Sequence, residues 1–333
     1  MYHIKVEQAA KLKGKLALVD CECADVFLAE EGSYLVTNTM EAFCYVPLGA
    51  EASQGEGAHS FRINRKLLMS LLADGEMVVT FEENGIRIVF LTPEGTRKFD
   101  VVIPEQIVFS QSYADKVALC STSELQQYEL VDLTVCAPFK KCWANSPAIV
   151  SFSNGYVATD LAAFKVFRKL ESPIPAMSLA SKSLAKVIGF GKQVVSARDY
   201  LVAEADGVYF LVTKCRGFQN DELAFVDAGK SKLRAAMDLE NLLFLLQDCK
   251  FEGEKITLDF SAKEIQAGTT GYQLNIPLHL TQYAAAPEAE PVSLPVPVSI
   301  IRLFGVDGGG SCVELSMKRN FNVLAGPNYK ILF

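Results

Sequence analysis

Histidine is scarce in this chain of 333 residues: His3, His59 and His279 are the only three, each at the end of a predicted strand and none beside a cysteine or carboxylate cluster. General acid–base catalysis near neutral pH draws on histidine most often, and a metal centre needs several His, Cys, Asp or Glu side chains at set spacings, so neither chemistry has much to work with. The nine cysteines are scattered. Cys21 and Cys23 form the one close pair on a strand face, a C-x-C without a second pair or a nearby histidine, for which packing is the simpler role. In a chain far larger than secreted disulfide scaffolds, reduced and mostly buried thiols are expected.

Two segments approach known motifs and fall short of them. Ala228-Gly229-Lys230-Ser231 has the end of a phosphate-binding loop, but the first glycine of that motif would fall at position 224, which is alanine. Ser183-Leu184-Ala185-Lys186 matches S-x-x-K without either companion motif, and a lysine on a helix face accounts for it. Asp160 could serve as a catalytic carboxylate, but Asn38 holds the matching place in a sister segment, which favours a turn-forming role for both. An enzyme, a metal site and a cofactor are therefore not expected.

The placement of lysine is more informative. Predicted helices at residues 8–15, 137–144 and 180–189 carry seven lysines (Lys11, Lys13, Lys15, Lys140, Lys141, Lys182 and Lys186) and no acidic residue, in a chain of formal net charge −7. Lys11 and Lys15 are four apart, as are Lys182 and Lys186, so each pair shares a helix face opposite the apolar stripe. A solvated amphipathic face is the simpler account of any single helix, but a surface serving only solubility would be expected to mix both signs. The acidic total argues against coating nucleic acid with the whole surface and leaves room for a localised basic lining.

The elements that must hold these helices repeat. Residues 59–64 alternate as a strand, and residues 65–74 place Leu67, Leu68, Leu71 and Leu72 at helical spacing before Gly75. Strands follow at 76–83, 86–92 and 98–104, the first two joined by an Asn84-Gly85 turn. The same order returns at 175–215 and at 233–278, where residues 239–248 form the predicted helix. A sister module precedes each. Residues 34–46 and 156–167 share a Tyr, an apolar pair, Thr37-Asn38 against Thr159-Asp160, and an Ala-Phe pair, about 120 residues apart. The C-terminal stretch supplies the last sister, with a short helix at 299–303 and three strands ending at 329–333. The expected fold is α+β, six β-α-β-β-β modules in three domains, 1–115, 116–228 and 229–333; residues 284–297, rich in Ala, Pro and Glu, are expected as an exposed loop.

Half the residues are apolar and no run of 18 uninterrupted apolar residues occurs. The first residues alternate like a strand and lack the apolar centre of a signal peptide, so a cytoplasmic protein away from the membrane is expected.

The six-module organisation resembles the bacterial-type DNA polymerase sliding clamp, the β-subunit family, across essentially the whole chain. The segment Gly155-Tyr156-Val157-Ala158-Thr159-Asp160 is similar to the family's Ala-Thr-Asp-Gly-His-Arg-Leu stretch, and Tyr329-Lys330-Ile331-Leu332-Phe333 is similar to its C-terminal Tyr-aliphatic strand. The resemblance implies a head-to-tail homodimer whose domains close a ring, helices inside and sheets outside. Duplex DNA passes through it without being read in sequence, and a polymerase bound to the ring is tethered. Clamp loader, DNA polymerase and other clamp-binding-peptide proteins are the implied partners. The implied DNA-contacting set is Lys11, Lys13, Lys15, Arg65, Lys66, Lys140, Lys141, Lys182, Lys186 and Lys192. The family's peptide pocket, carried over by motif, would use Thr159, Asp160, Phe164, Phe225, Val226, Leu332 and Phe333.

Two departures stand out. Leu161, Ala162 and Ala163 replace the family's Gly-His-Arg, and the usual Pro-Met-Arg ending is missing, which changes the pocket. The helix at 239–248 carries Glu240 and Asp248 and no base, as in a divergent member such as a viral one. The competing expectation is a repeat-built structural or interaction protein, for example a viral scaffold component, which needs no basic helices.

Overall fold

The computed structural model describes the chain apart from residues 30–31, 53–56, 83–84, 102–109, 146–147, 154, 160–164, 192, 217–231, 239–254, 270, 286–292, 299–311, 318–321, 327–328 and 333. Two compact units are present, residues 1–131 with 189–214, and residues 132–188 with 215–333. Each of the four sheets lies within one of them.

The chain opens with β1 (Tyr2–Val6), α1 (Ala9–Leu16), β2 (Cys23–Leu28), β3 (Ser33–Asn38), β4 (Ala42–Leu48) and the short β5 (Ala50–Ala52). The second module is β6 (His59–Asn64), α2 (Arg65–Leu71), β7 (Gly75–Glu82), β8 (Gly85–Thr92) and β9 (Gly95–Val101). Next come α3 (Gln111–Ala118), α4 (Thr122–Leu125) and β10 (Glu129–Leu130). After a 3₁₀ turn at Thr134–Phe139 the third module continues with α5 (Lys140–Asn145), β11 (Ile149–Phe152), β12 (Tyr156–Thr159) and β13 (Lys165–Arg168). The fourth is β14 (Met177–Ala180), α6 (Ser181–Phe190), β15 (Gln193–Ala197), β16 (Tyr200–Ala205) and β17 (Val208–Thr213). Beyond it lie β18 (Leu233–Asp238), β19 (Lys255–Asp259), β20 (Glu264–Gly268), β21 (Gln273–Pro277), β22 (His279–Ala285), β23 (Ser293–Pro297), β24 (Cys312–Met317), β25 (Asn322–Gly326) and β26 (Tyr329–Leu332). The helices expected at 239–248 and 299–303 lie outside the described residues.

The modules are interlocked by strand exchange. Each hairpin pair stays with its own module, but the first strand crosses to the sister: β1 pairs with β7, and β6 with β2. The same exchange joins β14 to β11 and β10 to β15, then β18 to β24 and β23 to β19. A module alone would leave one sheet face bare, and the exchange lets two modules bury a common core. In the first pair that core holds Tyr2, Ile4, Leu16, Phe61, Leu68 and Phe90.

Local sequence explains the helix ends. Ala9 and Leu16 of α1 are buried and Leu12 packs on the same core, an i, i+3, i+7 stripe. Gln8 enters with a left-handed φ of 57°, and the Asp74 carboxylate accepts a hydrogen bond from the Ala9 amide at 2.6 Å, satisfying one orphan donor at the helix start. Asn64 caps α2, its Oδ1 accepting from the Leu67 amide at 3.0 Å. Gly75 has φ +139°, and a Cβ there would sit 2.1 Å from the Leu91 carbonyl oxygen, so the chain can leave α2 for β7 only through glycine.

Some expectations are corrected. Residues 284–285 continue β22 along β18, and 293–297 form β23 rather than a loop. Pro295 is tolerated because β23 is an edge strand, with Leu294 and Val296 turned inward and Pro295 outward. The helix expected at 137–144 is α-helical only from Lys140, Pro138 lying in the 3₁₀ turn before it. Helices α3 and α4 were not anticipated, although Ser110 and Ser121 cap them, accepting from the amides of Tyr113 and Glu124. The domain boundary placed at 115 falls inside α3, and that at 228 lies outside the described residues.

Candidate nucleic-acid interface

The basic residues sit where the apolar stripes leave them. In α6, Leu184, Ala185 and Val187 are buried, and Lys182 and Lys186 project on the exposed side. Lys66 is exposed on α2 beside Leu67, itself 42% exposed. Lys140 is exposed at the start of α5, in which Lys141 follows; Lys192 lies outside the described residues. Together α1, α2, α5 and α6 carry nine basic residues and no acidic one, whereas α3 and α4 carry Asp115 and Glu124.

Within α1 the three lysines differ. The Lys11 ammonium pairs with Asp206 Oδ2 at 3.0 Å, both side chains about half exposed (52% and 53%). Lys15 lies 3.9 Å above the centroid of the Phe190 ring, a cation–π contact, and partial burial lowers its pKa from the ordinary lysine value. Lys13 is half-buried on another side of the helix. Lys11 and Lys15 line a groove of about 270 Å³ with Gln8, Pro47, Asp206 and the Lys5–Glu7 ion pair. Asp206 and Phe190 were not foreseen as neighbours of α1. The Asp206-Gly207 turn is visible in sequence, but a contact spanning 195 positions is not.

Arg65 does not belong with the DNA-contacting set. It is 8% exposed, and its Nη1 donates to the Val19 carbonyl at 2.9 Å and the Leu16 carbonyl at 3.4 Å while Nη2 donates to Asp20 at 3.0 Å. The guanidinium reaches the Leu16 carbonyl at the C-terminal end of α1, where the helix dipole also favours a cation, and shares the Val19 carbonyl with the Cys21 amide, which donates to it at 3.1 Å.

Of the expected peptide pocket, Asp160, Phe164, Phe225, Val226 and Phe333 lie outside the described residues. Thr159 on β12 and Leu332 on β26 both pair in register with Lys165 of β13, so their backbones share one row of the sheet. The described cysteines are free thiols, and burial pushes Cys44 and Cys136 up to about 12, far from thiolate chemistry at neutral pH. Among the described residues no group of three or more His, Cys, Asp or Glu is placed to hold a metal, and no helix is long and apolar enough to cross a membrane.

The fold is that of the bacterial sliding clamps. The chain matches over its full length a putative DNA polymerase III β subunit from Eubacterium rectale (TM-score 0.64, 11% identity, 98% of that chain covered). It matches the Pseudomonas aeruginosa DNA polymerase III subunit β (0.63, 13%, 98%) and a Helicobacter pylori β clamp bound to a DNA ligase peptide (0.61, 12%, 99%), again over 100% of its own length. No protein-family model matches the sequence. No curated protein is significantly similar to it.

Proposed function

We propose that the chain is a DNA sliding clamp, a non-catalytic, cytoplasmic ring that encircles duplex DNA and tethers a polymerase. The observation that carries this reading is the pairing of the modules' last strands. In the first unit β4, the last hairpin strand of module one, pairs with β17, the last of module four. In the second unit β13, the last of module three, pairs with β26, the last of module six. The last strands of modules two and five, β9 and β21, remain as sheet edges among the described residues. If the rule that joins the other four also joins these, β9 of one copy meets β21 of the next. A head-to-tail contact of this kind closes on itself as a ring or continues as a filament. With three domains of two modules each, as the strand exchange favours, two copies supply the six domains of a closed ring.

The four acid-free helices support the same reading, because a ring that slides needs phosphate contacts without base contacts. Lys11, Lys13, Lys15, Lys66, Lys140, Lys141, Lys182, Lys186 and Lys192 are the residues assigned to it. The partners are duplex DNA, a loader, and polymerase or repair proteins carrying a clamp-binding peptide, for which the row through Thr159, Lys165 and Leu332 marks one edge of the docking site. The test is solution mass together with DNA retention. A dimer that is lost from linear DNA but stays on circular or end-blocked DNA supports a ring. A monomer that leaves polymerase processivity unchanged favours the structural-protein alternative.

A further inference from the structure

The α1 lysines present a puzzle for a DNA-contacting helix, since one of them is already occupied by an anion from its own chain. Asp206 and Gly207 form the turn between β16 and β17, with φ of 54° and 76°, both left-handed as a type I′ hairpin requires. Glu204 braces the turn by accepting from the Gly207 amide at 2.7 Å. Backbone preference and Glu204 support the turn, and the Asp206 carboxylate reaches Lys11 across 195 positions of sequence. A pair this exposed is worth no more than about 1 kcal/mol and is screened by salt, so it contributes little to the fold. The same geometry makes it exchangeable: a phosphate oxygen offers Lys11 what Asp206 offers, and the groove beside it is lined also by Lys15 and by Lys5, which pairs with Glu7 at 2.7 Å.

We propose that Asp206 is a built-in competitor for DNA phosphate at Lys11. It holds the ammonium when DNA is absent and gives it up when a phosphate enters the groove, so this one carboxylate limits how strongly α1 grips the duplex and keeps the contact loose enough to slide. The proposal rests on the clamp reading above.

Asparagine adopts left-handed φ readily, and Asn-Gly is a preferred type I′ turn, so Asp206→Asn removes the charge and keeps the turn. Asp206→Gly reaches the same end by a second route. Binding of the full-length chain to a fluorescent 30-base-pair duplex, its ends blocked after mixing so that a ring is retained, is measured by anisotropy across a sodium chloride series. Both variants should bind about fivefold tighter near 0.15 M salt with a log–log salt slope close to that of wild type, because Lys11 meets a phosphate in wild type too and only the displacement of Asp206 is removed. In a Lys11→Gln background the gain should vanish. Unchanged affinity in both variants, or a gain that persists without Lys11, would overturn the proposal while leaving the clamp reading standing if wild type itself binds with a salt slope. Absence of any salt-dependent binding by wild type to the end-blocked duplex would remove both.

Discussion

Replacing Arg65 by alanine, with Lys66→Ala as its neighbour control, separates a structural cation from a DNA-facing one. The Arg65 guanidinium serves two carbonyls, Leu16 and Val19, whose residues are 0% and 1% exposed, and Asp20, whose side chain is 96% exposed. The exposed carboxylate adds little. The Leu16 carbonyl, held at 3.4 Å, is costlier to abandon, because a buried acceptor left without a partner costs about 1–3 kcal/mol, whereas the Val19 carbonyl keeps the Cys21 amide at 3.1 Å. Losing the packed stem adds to this, giving about 2–4 kcal/mol in all. For a folding unit of 150–250 residues that corresponds to a melting temperature lower by roughly 4–16 °C. Arg65→Lys should recover only part of the loss, since one ammonium cannot reproduce the fork. Lys66→Ala should stay within about 0.5 kcal/mol of wild type and instead flatten the salt slope of duplex binding by up to about 0.9. Differential scanning calorimetry and anisotropy titrations read the two effects. An Arg65→Ala protein that melts like wild type but shows the flattened slope would refute the assignment, since its guanidinium would then face DNA.

Charge reversal of Lys182 and Lys186 to Glu should lower the salt slope by about 1.8 if both meet phosphate, with the thermal melt unmoved; light scattering during a salt titration would also report any loss of assembly. Leu274→Arg places a charge on the edge strand β21, where Leu274 is 38% exposed, and sedimentation should show the dimer shifting to monomer with the far-ultraviolet spectrum unchanged. Lys116 is buried in α3, donating to Asn38 Oδ1 at 3.0 Å and the Thr39 carbonyl at 3.3 Å, and burial lowers its pKa from 10.5. The unfolded chain therefore binds the proton more tightly, so stability should rise with pH between the folded value and about 10.5, and Lys116→Met should remove that rise in denaturant titrations.

The repeat was legible in the sequence because hydrophobic period and turn chemistry are local. Alternation in residues 59–64, the leucines of α2 and the glycine at 75 are each dictated by neighbours a few positions away, and the hairpins of the fourth module followed in the same manner. Lysine segregation was equally visible, since Lys182 and Lys186 need only the helical period to share a face. Even the missed helices α3 and α4 had a local mark in Ser110 and Ser121, and residues 293–297, expected as loop from their composition, form a strand because a sheet edge tolerates Pro295. What tertiary structure alone decided is pairing at long range. Nothing near Arg65 says that its guanidinium turns back to α1 while Lys66 turns out, and nothing near Lys11 points to Asp206. The crossing of first strands between sister modules is of the same kind. Backbone edges are chemically alike, and only the burial of a common core selects which strand completes which sheet.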